Sequence, residues 1–361
     1  MKYLFIIQGE GRGHLTQAMT MEKLLHSRGH EVVEMLVGKS ESRTLPAFFT
    51  EGVNAPITYF ESVNFVSAAQ DKRPDALKTV LFNLAMSPKF IPSISLIRNH
   101  IKDSGADVVV NFYEILGTIA HGLTGRKVPM VCIGHQFLFL HKDMHIPEFG
   151  YEGHIALNLF SRAIATGAEK VLALSFRQMP HDGKIRVVPP LLRPEVLAYR
   201  NSPDFKDGDY ILGYMLNAGF AEEVNSWHKA HPSVPLRFFW DNAAEAPVKV
   251  VDDTLSFYYL DDKEFLRQMA GCRAYASTAG FESICEAMYL GKPLMMVPSH
   301  IEQKCNAYDA TRESAAIESD VFDLSVLLDF AENGRFHRDE KFPDWVLSAA
   351  EVIVNELETL A

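Results

Sequence analysis

Two stretches hold most of the residues able to do chemistry. The first is GEGRGHLTQAM, residues 9–19, which sets three glycines and a histidine between the apolar run YLFIIQ and a helix-like segment. Gly9, Gly11 and Gly13, with Arg12 among them, leave a backbone bare enough for an anion to reach its N–H groups. His14 falls in the first helical turn, where the helix dipole lowers an imidazole's affinity for a proton. A neutral imidazole is what a general base must be at working pH. The bland alternative is a histidine that caps the helix. A nicotinamide-dinucleotide loop fits poorly, because the glycines read G-x-G-x-G-H. Lys39 also stands where a ribose-binding carboxylate would close the second strand.

The second stretch is STAGFESICEAMYLGKPLMMVPSHIEQKCNA, residues 277–307. Thr278, Ala279 and Gly280 make a turn after an apolar strand, and Ser283 and Glu286 fall in the first turns of the helix that follows. A hydroxyl beside a helix N-terminus can meet a phosphate, and a carboxylate one turn on can accept from both hydroxyls of a ribose diol. Glu302 and Gln303 follow the next strand. A carboxylate beside an amide supplies both acceptors and donors to sugar hydroxyls. Each of these residues alone would also suit an ordinary helix turn.

Such residues need elements to hold them. KYLFIIQ is a continuous apolar run, as in a parallel strand buried on both faces. Leu15, Ala18, Met19, Glu22 and Leu25 then recur at helical spacing before RGHEVVEMLVG gives a second strand. GADVVVNF, VPMVCIG and EKVLALSF continue the alternation, so residues 1–190 read as an open parallel sheet. The segment VVPPLLRPEV, residues 187–196, is stiffened by prolines and reads as the connection. Over 191–344 the runs DYILGYML, PLRFFWDN, TLSFYYL, CRAYAS and KPLMMVPS form a second series, with helical stretches between the later ones. The fold class is α/β, two Rossmann-like β/α/β domains whose ligands are expected at the carboxyl ends of the strands. Residues 345–361, within FPDWVLSAAEVIVNELETLA, form an amphipathic helix expected to cross back to the first domain. Trp345, Val346, Ala349 and Val352 share one of its faces.

Residues 277–307 resemble the donor-binding signature of GT-B glycosyltransferases, in particular the UDP-glycosyltransferases and the N-acetylglucosaminyltransferase that makes lipid II. Gly280, Ser283, Glu286, Ala287, Gly291, Pro293, Pro298, Glu302, Gln303, Asn306 and Ala307 stand in register with it. The N-terminal glycine loop ending in His14 resembles the loop carrying the catalytic base of that family. The resemblance implies a GT-B fold that moves a hexose or N-acetylhexosamine from a nucleotide-sugar, UDP-linked, to an acceptor hydroxyl with inversion. Gly11, Arg12, Gly13, Asn217, Thr278, Ala279, Gly280, Ser283, Glu286, Glu302 and Gln303 would hold the donor. No cofactor and no metal are implied, because helix N-termini and hydroxyls take the charge of the leaving diphosphate. The chain departs from the pattern at Thr278, where many members place a histidine, and at Glu302, where an aspartate is usual. The loop MLNAGF, with Asn217 and Gly219, stands where relatives carry a Ser/Thr-rich loop. A nucleotide-sugar 2-epimerase or hydrolase on the same fold, and a non-catalytic sugar-nucleotide-binding subunit, are the rival readings.

Glu114, just past the run DVVVNF, is either a surface carboxylate or the group that orients His14. His135 and Gln136, at another strand end, are candidates for the acceptor. His141, His145 and His154 follow without a metal-ligand spacing. Residues 76–102, apolar with interspersed Lys and Arg, read as core, with an acceptor flap or a peripheral membrane patch as alternatives. The patch would place the protein at the inner face of a membrane. A net charge of −11 without a compensating basic stripe argues against nucleic acid as a partner. Cys132, Cys272, Cys285 and Cys305 have no CxxC spacing and read as reduced thiols. No apolar run approaches the ~18–20 residues of a membrane span, and the N-terminal run is short for a signal peptide. The expected location is the cytoplasm.

Overall fold

The computed structural model describes residues 1–41, 43–63, 87–144, 146, 151–200, 202, 207–215, 218–242, 245–312 and 315–360. They fall into two compact units. One holds the described residues up to Leu191 together with Trp345 onward, and the other holds Leu192–Asp344.

In the first unit the strands are β1 (Lys2–Gln8), β2 (Glu31–Lys39), β3 (Ile57–Glu61), β4 (Val108–Phe112), β5 (Met130–Gly134), β6 (Lys170–Leu174) and β7 (Ile185–Val188). They order as β3-β2-β1-β4-β5-β6-β7, and every pairing is parallel. All five residues of β4 are buried, as a central parallel strand covered on both faces requires. The strand order reverses between β1 and β4, and loops at the carboxyl ends of such a pair are where open α/β sheets bind ligands. Helix Arg12–Ser27 leaves β1 there and buries Leu15, Ala18, Met19 and Leu25. Glu22 is buried on the same helix because its carboxylate accepts the backbone N–H groups of Asn54 and Ala55, the latter at 2.7 Å.

The second unit repeats the plan. Its strands are β8 (Ile211–Met215), β9 (Leu236–Trp240), β10 (Val248–Val250), β11 (Leu255–Tyr259), β12 (Ala274–Ser277), β13 (Leu294–Met296) and β14 (Ala316–Glu318). They order as β10-β11-β9-β8-β12-β13-β14, parallel except for the β10–β11 edge pair. The reversal lies between β8 and β12. Phe238, Trp240, Phe257 and Phe322 fill the core on one side of this sheet. Gly213 of β8 is required here, since a Cβ on it would sit within the ring of Phe238 on β9.

The strands singled out in the sequence are all present. The proline-rich connection is shorter than residues 187–196: Val187 and Val188 close β7, and Pro194–Tyr199 is a helix. A proline at the first helical position fits there, since it gives up no intrahelical bond. The C-terminal segment is two helices, Phe342–Leu347 and Ala349–Glu358, interrupted at Ser348. The interruption shifts the phase, so Ile353 and Val354 are buried and Val352 is only half-buried. Trp345 Nε1 donates to Ser175 O at 3.0 Å, and Lys170 Nζ donates to Glu356 Oε2 at 2.6 Å.

Of residues 76–102, positions 76–86 lie outside the described residues. Helix Ile91–Asp103 buries Ile97 and Ile101 while Ile91 is exposed, which is the pattern of a core-packing helix. Among the described residues no helix is long and apolar enough to cross a membrane. All four cysteines are buried and unpaired. Burial pushes the Cys272 and Cys305 thiols up to about 12.

Gly213→Ala is expected to destabilise the protein by about 1–3 kcal/mol, the usual cost of an overpacked core. Urea unfolding of the variant against the parent chain measures it.

Candidate active site

In the first unit the site is built where β1 and β4 end. Gly9 N donates to Gly38 O at 2.7 Å, and a Cβ on Gly9 would crowd that same oxygen, so this glycine serves the sheet. Gly11 caps helix Arg12–Ser27 without a side-chain bond, and a Cβ there would meet nothing within 4 Å among the described residues. Arg12 lies over the Phe48 ring at 5.7 Å, and Gly13 is in the first helical turn. His14 is half-buried. Its Nδ1 stands 3.3 Å from Gln17 Oε1, one turn along the helix, and its ring stacks on Tyr113 with centroids 5.6 Å apart. An amide oxygen can only accept, so Nδ1 carries the hydrogen and Nε2 keeps its lone pair. Burial holds the His14 pKa down at about 4, with the Gln17 bond opposing it. Desolvation lowers this pKa; the sequence suggests the helix dipole as the cause.

Tyr113 takes a left-handed backbone conformation, φ 59°, which is uncommon for a side-chain-bearing residue. Its hydroxyl pairs with Ser161 Oγ at 2.7 Å, fixing the ring against the imidazole. Glu114 is neither an exposed carboxylate nor the partner of His14. It is 1 % exposed and caps helix Ile115–Gly122, accepting from Leu116 N at 3.0 Å and from Ser62 Oγ at 2.7 Å. Burial raises its pKa to about 7, against those two bonds. A Cβ on Gly38 would strike this carboxylate, so the glycine makes room for it.

In the second unit the corresponding turn follows β12. Thr278 is fully buried, with no hydrogen-bond partner at its hydroxyl among the described residues. Ala279, not Gly280, takes the left-handed conformation, with φ 63°. It is held by its own N–H on Ser277 Oγ at 3.2 Å and by Asn306 Nδ2, which donates to its carbonyl at 3.0 Å. Gly280 has an ordinary φ of −70° and caps helix Phe281–Leu290, again without a side-chain bond. Among the described residues, a Cβ on it would find only Ser283 Oγ, at 3.8 Å. Ser283 donates to Gly280 O at 3.2 Å.

Glu286, 1 % exposed, receives both Nε and Nη2 of Arg193 on its Oε1, at 2.8 and 2.7 Å. Burial pushes its pKa up and Arg193 opposes the shift. Glu302 is half-buried in the first turn of helix Ile301–Thr311. Gln303 is buried, and its Oε1 accepts from Ser299 N at 2.9 Å and Ser299 Oγ at 2.8 Å. Its carbonyl thereby fixes the preceding loop and leaves the amide N–H groups for other work. Asn217 lies outside the described residues, as does His145.

The acceptor candidates are placed in the core. His135 is 2 % exposed, its Nδ1 lies 2.7 Å from Leu174 O, and its ring packs between Phe139 and Phe176. Burial lowers its pKa to about 3. Gln136 is buried, with its Oε1 folded back against Gly134. His141 Nε2 bonds Pro180 O at 2.9 Å, and His154 pairs with Asn158. Among the described residues no three His, Cys, Asp or Glu side chains gather as a metal would need.

The family model described as glycosyl transferase family 1 matches residues 1–333. The chain belongs to that family. This glycosyltransferase is similar in fold to the glycotransferase of kitacinnamycin, with a TM-score of 0.68, 14 % identity, and 99 % of this chain and 98 % of that one covered. It is similar to Medicago truncatula UGT71G1 complexed with UDP-glucose, with a TM-score of 0.65 and 14 % identity over 99 % and 98 % of the two chains. For the glycosyltransferase VinC in complex with dTDP the values are 0.63 and 16 %, over 100 % and 99 %. No curated protein sequence matches. The two Rossmann-like units are those of the GT-B fold, and the chain is a GT-B glycosyltransferase.

Several residues of this glycosyltransferase's candidate site carry no strong sequence signal. Gln17 is legible only as an amide three residues after a histidine on one helix. Tyr113 follows a strand like any other aromatic. Arg193 lies 93 positions from Glu286 and inside the proline-rich connection, so no local spacing pairs them. Asn306 fits the signature, yet its bond to the Ala279 carbonyl is a fact of the folded turn.

The imidazole of His14 is expected to stay neutral on acidification until about pH 4, well below an ordinary histidine. The unfolded chain binds this proton near pH 6.5 and the folded chain does not. His14 therefore lowers stability progressively as pH falls through that window and has no such effect above it. Ring-proton NMR across pH 3–8 measures the midpoint, and a value near 6.5 would contradict the desolvated ring.

Proposed function

We propose that this glycosyltransferase moves a sugar from a nucleoside-diphosphate donor, UDP-linked, to an acceptor hydroxyl with inversion, His14 serving as general base. The observation that carries the reading is the state arranged for that imidazole. Its Nδ1–H is taken up by Gln17, its ring is fixed on Tyr113, and its Nε2 lone pair is available at neutral pH. In the step itself, Nε2 takes the acceptor's proton as the acceptor oxygen bonds to the anomeric carbon. The carbon–oxygen bond to the diphosphate breaks on the opposite face, and its electron pair leaves with the nucleotide. One base and no covalent nucleophile give one displacement, hence inversion.

The donor is assigned to the second unit. Glycines cap helices Arg12–Ser27 and Phe281–Leu290 where the described residues leave room for a side chain. Bare caps leave helix N–H groups open to an anion such as a diphosphate. The buried Thr278 hydroxyl and Ser283 lie at the second of these caps. Glu286 accepts from the ribose hydroxyls, and Glu302 with the amide of Gln303 serves the sugar. UDP-glucose and dTDP are the ligands named for two of the similar structures, which supports a pyrimidine nucleoside diphosphate.

His14→Ala should lower kcat by about 10²–10⁴-fold while donor affinity measured by calorimetry stays near that of the parent. A fully active variant would return His14 to a capping role, and release of sugar from donor alone at full rate would favour a hydrolase. Transfer should persist in excess EDTA, since helix N–H groups and hydroxyls meet the diphosphate charge. Activity lost to chelator and restored by Mg²⁺ or Mn²⁺ would overturn that.

A further inference from the structure

Glu286 differs from Glu22 and Glu114, the other buried glutamates among the described residues, in how its two oxygens are used. Oε1 takes two N–H groups of one guanidinium, Arg193 Nε and Nη2. Oε2 receives no hydrogen bond from any described residue, although the side chain as a whole is almost fully enclosed. Arg193 is itself buried and is steadied by a second carboxylate, with Nη1 standing 3.3 Å from Asp262 Oδ1. A guanidinium engaged on two sides is fixed in place, and the fork in turn fixes the carboxylate it grips.

We infer that Arg193 is a positioning residue for nucleotide recognition, which claims Oε1 of Glu286 and presents Oε2 alone to the ribose diol. The inference rests on the reading of Glu286 as the ribose acceptor. Arg193 also favours the ionised form of the carboxylate. A buried carboxylate without a cation takes up a proton instead, and a protonated acid is a poorer acceptor for two hydroxyls. Burial already pushes Glu286 upward, and the Arg193 charge is the largest influence opposing it, while Asp262 and Glu195 push the same way as burial. Arg193 thus acts through Glu286 without touching the donor. Its effect should be confined to the sugar of the nucleotide and absent from base and phosphates.

The test compares UDP with 2′-deoxy-UDP by calorimetry on the full chain, for the parent, Glu286→Gln, Arg193→Met and the double variant. The parent should prefer UDP by roughly 10- to 100-fold, the range for a hydrogen bond to a charged group. Arg193→Met should bring the two affinities within about threefold, with the larger loss on UDP and a smaller one on 2′-deoxy-UDP, which keeps the 3′-hydroxyl. The double variant should bind both ligands as Glu286→Gln does, because Arg193 has no route to the donor once the carboxylate is gone. A buried pair replaced as a whole is commonly tolerated, so the double variant decides the matter if Arg193→Met does not fold. A further loss from Glu286→Gln to the double variant, or a parent-like preference for UDP in Arg193→Met, overturns the inference. A parent that does not distinguish the two nucleotides overturns the reading of Glu286 itself.

Discussion

A parallel sheet covered on both faces gives nearly all its side chains to packing. β4 is buried at every position, and β1 at all but the first. Polar groups that must meet a ligand can then stand only where strands end, and the twist and crossover rules direct their helices outward from those ends. Both units obey this limit in the same way. Each has a glycine-capped helix beside the reversal of strand order, and each has a non-glycine residue in left-handed conformation after a strand at that reversal: Tyr113 after β4, and Ala279 one residue beyond Thr278 after β12. Left-handed backbone on a residue with a side chain costs of order 1–2 kcal/mol and is kept only when the surroundings hold it. Ser161 and the His14 stack hold the first, and Ser277 and Asn306 hold the second.

Three buried glutamates show how differently one side chain type can be employed. Glu22 spends its carboxylate on the backbone of Asn54 and Ala55, tying a loop to a helix. Glu114 spends both oxygens on a helix cap and a serine, at a position that Gly38 keeps clear. Glu286 spends one oxygen on Arg193 and keeps the other. Burial alone does not set how a carboxylate's two oxygens are used.

The sequence was most legible where periodicity or a sparse residue type is decisive. The long apolar runs gave β1, β2, β4, β5 and β6, and the signature around Glu286 pointed to the second unit's turn and the helix after it. Short edge strands such as β3, β10 and β14 escaped, being three to five residues without a continuous apolar run. Residue roles that depend on long-range pairing were beyond reach. Glu114 looked like a surface group or a histidine's partner because nothing local announces that Ser62 and Gly38 enclose it. His135 stood at a strand end, as expected, yet its ring turned inward between two phenylalanines, a choice made by neighbours far along the chain.

The four enclosed thiols make the chain its own reporter. Cys132 belongs to the first unit, while Cys272, Cys285 and Cys305 belong to the second. A buried thiol held in its protonated form is inert to an alkylating reagent, so modification waits for the surrounding structure to open. The labelling rate at Cys132 therefore clocks the opening of one half of the molecule, and the rates at the other three clock the opening of its companion. With native cysteines as the only labelling sites, the breathing of the unit that carries His14 can be timed separately from that of the unit that carries Glu286.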